Sequence, residues 1–238
     1  MWLKLSTIVL LPVLVIQGII VRKRTPLLPE PQGDREGFVG EGKSLSLLIL
    51  GDSAAAGVGV ETQKEALSGA IISELKSDYM LKWRLHARTG HTTQQVCKAI
   101  SEISQCDYDV IVTSMGVNDI TKLTSIESWI KQQKQLFTQI QNRFQPKLVI
   151  VSGVPPMQYF PALPQPLAWL FGKYVNHMNK TLQQWLASQE KFRFIPYDIE
   201  VFKALDLPMA EDGFHPSREI YAIWGKQVAD LVRQKFNP

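Results

Sequence analysis

Two patterns alternate along the chain. Short runs built only from apolar residues are followed by longer stretches in which apolar residues return every three or four positions. Leu47-Leu48-Ile49-Leu50 is the clearest run, and residues 45–50 are predicted as a strand; 83–87, 110–113, 148–151 and 192–196 read the same way. Between them, 64–76 carries Leu67, Ala70, Ile71 and Leu75 at helical spacing. Residues 92–104 carry Val96, Ile100 and Ile103, and 126–144 carry Trp129, Ile130, Phe137 and Ile140. A longer stripe through Leu170, Val175, Met178 and Leu182 marks 167–186, and 217–236 is predicted as a closing helix. Strands that are apolar throughout, alternating with helices, imply a parallel sheet covered on both faces. The expected fold is a three-layer α/β/α sandwich with five parallel strands. Its ligand crevice should lie beyond the carboxyl ends of the strands.

The N-terminus follows neither pattern. Residues 5–21 contain no charge and are closed by Arg22-Lys23-Arg24. As a helix they would reach roughly 26 Å, near the lower limit for a bilayer span. Residues 1–24 are therefore expected to form an uncleaved hydrophobic membrane anchor with a basic flank. The Pro-, Gly- and charge-rich residues 25–42 are expected to be a linker, and 43–238 one catalytic domain. Three positive side chains after the apolar run, against Lys4 and the amino terminus before it, lean toward the C-terminal flank on the cytoplasmic face. Export to the outer face is the alternative. The chain has 26 Lys and Arg against 22 Asp and Glu; without Lys4, Arg22, Lys23 and Arg24 the counts match, so the globular part is neutral and nucleic acid is not an expected partner. Cys97 and Cys106 fit no metal spacing. They read as two unrelated, half-buried thiols, with a bridge open only to an exported domain.

Chemistry-bearing residues gather where the strands end. The first strand is followed by Gly51-Asp52-Ser53 and then Ala54 to Ala56, the second by Gly90-His91, and the third by Gly116-Val117-Asn118-Asp119. The fifth is followed, at a distance, by Asp212-Gly213-Phe214-His215. No lysine follows the glycines after Gly51, which excludes a Walker-type phosphate loop. Thr62 breaks the dinucleotide pattern begun by Gly57 and Gly59, and Ala55 breaks the G-x-S-x-G elbow. What remains is a serine on a tight strand-to-helix turn.

With these blocks the sequence resembles the SGNH/GDSL hydrolases. Gly51-Asp52-Ser53, Gly90, Gly116-Val117-Asn118-Asp119 and Asp212-x-x-His215 stand in the family's order. The resemblance runs from about Leu45 to the end of the chain. It implies the five-stranded, flavodoxin-like sandwich, and esterase or lipase-type activity on small-molecule or lipid esters.

The residue types suit that chemistry. A serine hydroxyl needs an adjacent base to attack an ester. His215 suits the task, because imidazole takes and returns a proton near neutrality. Asp212, three residues earlier, would accept the other ring N–H and fix the tautomer. The resemblance assigns the oxyanion hole to the backbone N–H groups of Ser53 and Gly90 and to the side-chain amide of Asn118. Each residue also has a plain structural use, Ser53 as a helix cap and Gly90, Asn118 and Asp212 in turns. Asp52 and Asp119 are read as structural, and Asp198 as a runner-up acid. His86, His91 and His177 are read as non-catalytic, with His91 a candidate for the cleft wall. No H-E-x-x-H or similar cluster suggests a metal, and no cofactor is expected. The proline-rich residues 153–172 are expected to border the cleft, as an acyl or aryl wall or as a packed connection. Acyl transfer, glycan O-deacetylation and an inactive binding domain are the competing functions.

Overall fold

In the computed structural model, which describes residues 2–197 and 206–237, six strands form one sheet. Strands β2 (Lys43–Gly51), β3 (Tyr79–Ala87), β4 (Val110–Ser114), β5 (Leu148–Ser152) and β6 (Phe192–Ile195) are parallel, in the order β3-β2-β4-β5-β6. This is the doubly wound arrangement expected from the sequence, with one addition. Strand β1 (Glu36–Val39) pairs antiparallel with the outer edge of β3, so the sheet has six strands rather than five.

Register explains why the central strands are apolar throughout. Leu47 pairs with Val110, which pairs with Leu148; Leu48 pairs with Ile111, which pairs with Val149. The first row packs beneath α3 (Leu67–Leu75) and α8 (Arg218–Phe236). The second packs against α4 (Thr93–Ala99), α6 (Ile126–Phe144) and α7 (Leu167–Leu186). Leu47 to Leu50 are wholly buried, and at ~1.5–3 kcal/mol per side chain these four contribute roughly 6–12 kcal/mol before the entropy cost of ordering them. The same register brings Gly51 level with Ala87 on one side and Ser114 on the other, so three strands end along one edge.

Residues 25–42 are not a linker in the structure. The Glu30 carboxylate accepts from the Thr89 backbone N–H and hydroxyl, both at 2.8 Å, and pairs with Arg35 at 2.7 Å. Arg35 also donates to the Ala87 carbonyl. Leu85 N–H donates to the Arg35 carbonyl at 2.6 Å, and Gln32 bridges to Thr62. The composition that suggests a flexible connection here serves turns and a four-residue edge strand.

Helix α1 (Trp2–Arg24) is likewise not a separate element. Leu14 is buried in the main core, and the Gln17 side chain joins the start of α7, donating to the Gln165 carbonyl at 2.6 Å and accepting from Leu167 N–H at 3.2 Å. Among the described residues no helix is long and apolar enough to cross a membrane.

Candidate active site

The site begins with a close backbone approach. A Cβ on Gly51 would stand 2.1 Å from the Ser114 carbonyl oxygen and 2.6 Å from the Ala55 Cβ, so only glycine lets β2 end this near β4. Asp52 then caps helix α2 (Ser53–Ala56), its Oδ1 accepting from Ala54 N–H at 3.1 Å. Ala55 and Ala56 are wholly buried, and Gly57, in the left-handed region, ends the helix after one turn. The small residues thus let α2 settle into the sheet edge and hold Ser53 above it. Asp52 lies in this packing with few donors, and burial pushes its carboxyl up to about 7.

The 209–216 loop supplies the opposite wall. Met209 bridges to Pro216, Ala210 N–H donates to the His215 carbonyl at 2.9 Å, and Gly213, at φ +63°, makes the turn between Asp212 and His215. Asp212 Oδ1 accepts from the backbone N–H groups of Phe214 and His215, each at 2.9 Å. Its Oδ2 lies 2.5 Å from His215 Nδ1. The other ring nitrogen, Nε2, lies 2.9 Å from Ser53 Oγ. Ser53, His215 and Asp212 therefore form one hydrogen-bonded chain across 162 positions of sequence. Burial opposes charge on Asp212, but the His215 ring and the backbone donors outweigh it and hold the carboxyl below the usual range.

Gly90 and Asn118 meet through a second set of contacts. Gly90 has φ +81°, and the space where a Cβ would stand is open. Asn118, in the first turn of α5 (Val117–Thr121), donates from Nδ2 to the His91 carbonyl at 3.0 Å. An amide nitrogen carries two N–H groups, so one is left to point elsewhere. Asp119 Oδ2 accepts from the backbone N–H and hydroxyl of Thr93, both at 3.0 Å. Lys122 Nζ donates to the Gly90 carbonyl at 3.0 Å and to Gln95 Oε1 at 3.3 Å. Three side chains from one short helix thus grip the loop that carries Gly90.

Between these walls lies a cleft lined by Ser53, Met115, Pro155, Phe160, Phe214 and His215, among others. The proline-rich segment is a packed connection that also borders the cleft. Val154, Met157 and Leu163 pack into the core, while Gly153, Pro155, Pro156 and Phe160 face the cleft. Phe160 meets Phe214 edge to face at 5.1 Å, and Ala162 N–H donates to the Gly213 carbonyl at 3.2 Å, so this segment also braces the acid–base loop.

Of the remaining candidates, His91 uses its backbone carbonyl to orient Asn118. His86 sits half-buried in β3, where burial lowers its pKa, and His177 is exposed on α7. Asp198 lies outside the described residues. Cys97 is buried and Cys106 exposed, and both are free thiols; burial pushes Cys97 up to about 11. Sequence reasoning passed over Lys122. Its place four residues after Asn118, one helical turn on, was the available signal.

The GDSL-like lipase/acylhydrolase family description matches residues 49–223, most of the chain. The chain belongs to that family and is a carboxylic ester hydrolase of its type. Its fold is similar to that of a psychrotrophic esterase from Pseudoalteromonas crystallised with monoethylphosphonate (16% identity, 81% of this chain and 99% of that one, TM-score 0.59). It is also similar to a lipase from a goat rumen metagenome (20%, 79% and 97%, 0.61) and to a putative arylesterase from Agrobacterium tumefaciens (17%, 81% and 100%, 0.61). No curated protein sequence matches the chain significantly.

Proposed function

We propose that Ser53, His215 and Asp212 act as nucleophile, base and orienting acid in the hydrolysis of acyl or aryl esters, lysophospholipids included, through a covalent acyl-enzyme. The observation that carries this reading is the placement of the His215 ring, 2.9 Å from Ser53 Oγ on one side and 2.5 Å from Asp212 on the other. His215 Nε2 takes the Ser53 proton as Oγ attacks the ester carbonyl, and later gives it to the leaving alcohol. Water, activated by the same nitrogen, then releases the acid. Asp212, held ionised, keeps Nδ1 protonated and steadies the imidazolium. The negative oxygen of the tetrahedral intermediate falls to the backbone N–H groups of Ser53 and Gly90 and to the second N–H of the Asn118 amide. The apolar lining of the cleft suits an acyl or aryl group.

Labelling by a fluorophosphonate probe, together with hydrolysis of p-nitrophenyl acetate or butyrate, tests this. Ser53→Ala should lose both while retaining the thermal transition of the parent. Turnover that persists in that variant would place the nucleophile elsewhere.

A further inference from the structure

Among the described side chains, helix α1 packs on the domain along one stripe. Leu14 is buried, Gln17 is hydrogen-bonded to the start of α7, and Leu10 and Val21 pack against the core. From Val9 to Ile20 an apolar arc on its other side is open to solvent: Val9 is 70% exposed, Ile16 58% and Ile19 52%. A helix that is apolar all round is stable only when something covers it. Interfacial helices normally carry a polar face toward water; here the catalytic domain occupies that side.

Two further features indicate what the cover is. Arg22, Lys23 and Arg24 stand exposed at one end of the apolar arc, and the first acidic residue in the chain is Glu30. Such a cluster complements anionic headgroups. Trp169, two residues after the Leu167 amide that Gln17 holds, is an exposed indole, a side chain that favours the membrane–water boundary. A groove of about 710 Å³ runs from Ile20, Val21 and Arg24 past Pro161 and Pro164 to Asp212, linking this face to the acid–base loop.

We infer that α1 is a one-sided docking surface whose occupant is an anionic lipid bilayer. It enters one leaflet by its apolar arc and remains fixed to the domain by its inner stripe. The domain is then seated on the membrane in one orientation rather than hung from it, with the groove opening from the lipid side toward the cleft. Delivery of lipid esters along that groove rests on the ester-hydrolase reading above; docking does not.

Flotation of the full-length protein with vesicles of phosphatidylcholine and phosphatidylglycerol tests docking, with p-nitrophenyl acetate turnover in vesicle-free buffer as the separate control. The parent should float. Ile16→Asp/Ile19→Asp should bind at least tenfold less, with ester turnover unchanged. Arg22→Gln/Lys23→Gln/Arg24→Gln should lose most of its preference for anionic over purely zwitterionic vesicles. A parent that stays in the dense fractions, or an Ile16/Ile19 variant that floats equally well, would overturn the proposal. So would a discrete dimer in sedimentation that does not float, because a second copy would then be the cover. Loss of ester turnover with flotation intact would strike the hydrolase reading alone.

Discussion

The two loops that meet over His215 each bring a buried aspartate, and the two carboxylates are treated in opposite ways. On the turn that carries Ser53, Asp52 is packed against the sheet, and burial pushes it up to about 7 against the pull of the Ala54 and Ala55 backbone N–H groups and of His215. On the acid–base loop, Asp212 is also buried, but two backbone donors and the His215 ring hold it ionised. Asp52 is the more deeply desolvated of the two, and its donors, the backbone N–H groups of Ala54 and Ala55, do not outweigh that cost; at Asp212 the backbone donors and the imidazole do. One loop uses its aspartate to shape a helix turn, and the other uses it to hold a charge beside an imidazole.

The largest expected effect separates these roles directly. Asp212→Asn should lower kcat by about 10⁴-fold, since the amide cannot stabilise the imidazolium or enforce the productive tautomer. Asp52→Asn keeps the helix cap and should cost less than about tenfold. Comparable losses in steady-state assays on one soluble ester would erase the distinction. Next in size, Asn118→Ala should lower kcat by about 10²–10³-fold with little change in KM, because its amide serves charge that appears only in the transition state. A change confined to KM would make it a ground-state contact.

The third prediction concerns stability against pH. For Asp52 the folded pKa of about 7 lies above the unfolded value of 3.8, so the folded state holds an extra proton between them. Its contribution therefore declines as pH rises from about 4 to 7, by up to ~4 kcal/mol. Asp212 has the opposite sign: its folded pKa lies below 3.8, so its stabilisation is present above that value and is lost as pH falls through the folded one. Urea midpoints of Asp52→Asn should flatten relative to the parent between pH 4 and 7. Parallel curves would mean that Asp52 does not titrate in that window.

The smallest effect tests the grip on the Gly90 loop. Lys122→Met should reduce kcat about three- to tenfold at unchanged KM and melting temperature, and Lys122→Arg should recover most of it, because both cations reach the Gly90 carbonyl. An equal loss in both variants would mean that the ammonium group matters for some other contact.

How much of this could be read from the sequence depended on whether the signal was local. Leu47 to Leu50, Val110 to Val112 and Leu148 to Val151 declare themselves because strands buried on both faces are apolar over most of their length. Ser53, Gly90, Asn118, Asp212 and His215 stand out by their places after the strand ends and by the resemblance of their blocks, in order, to those of the GDSL hydrolases. Strand β1 was not visible: four residues with alternate exposure carry too short a pattern, and its glycine points to a loop. Helix α3 starts at Leu67 rather than at residue 64, because the Gln63 side chain ties the preceding turn to the Ala56 carbonyl and the Ser68 hydroxyl. The first half of β3, where Met80 and Lys82 are exposed, has the polar mixture of the turn before it. The burial of Asp52 is created by tertiary structure and has no local signature, and the Lys122 grip shows in the sequence only as a cation one helical turn after Asn118.

Strand β1 also bears on how the molecule could be handled. A chain trimmed at residue 43, where the composition changes, would remove the neighbour that covers the outer backbone of β3. The outer edge of β3 from Leu81 to Leu85 would then offer unpaired backbone groups to other molecules. The cut would also release Thr89 from Glu30, one residue before Gly90. Removing the apolar N-terminus together with residues 25–42, in pursuit of solubility, would exchange an exposed apolar helix for an open sheet edge.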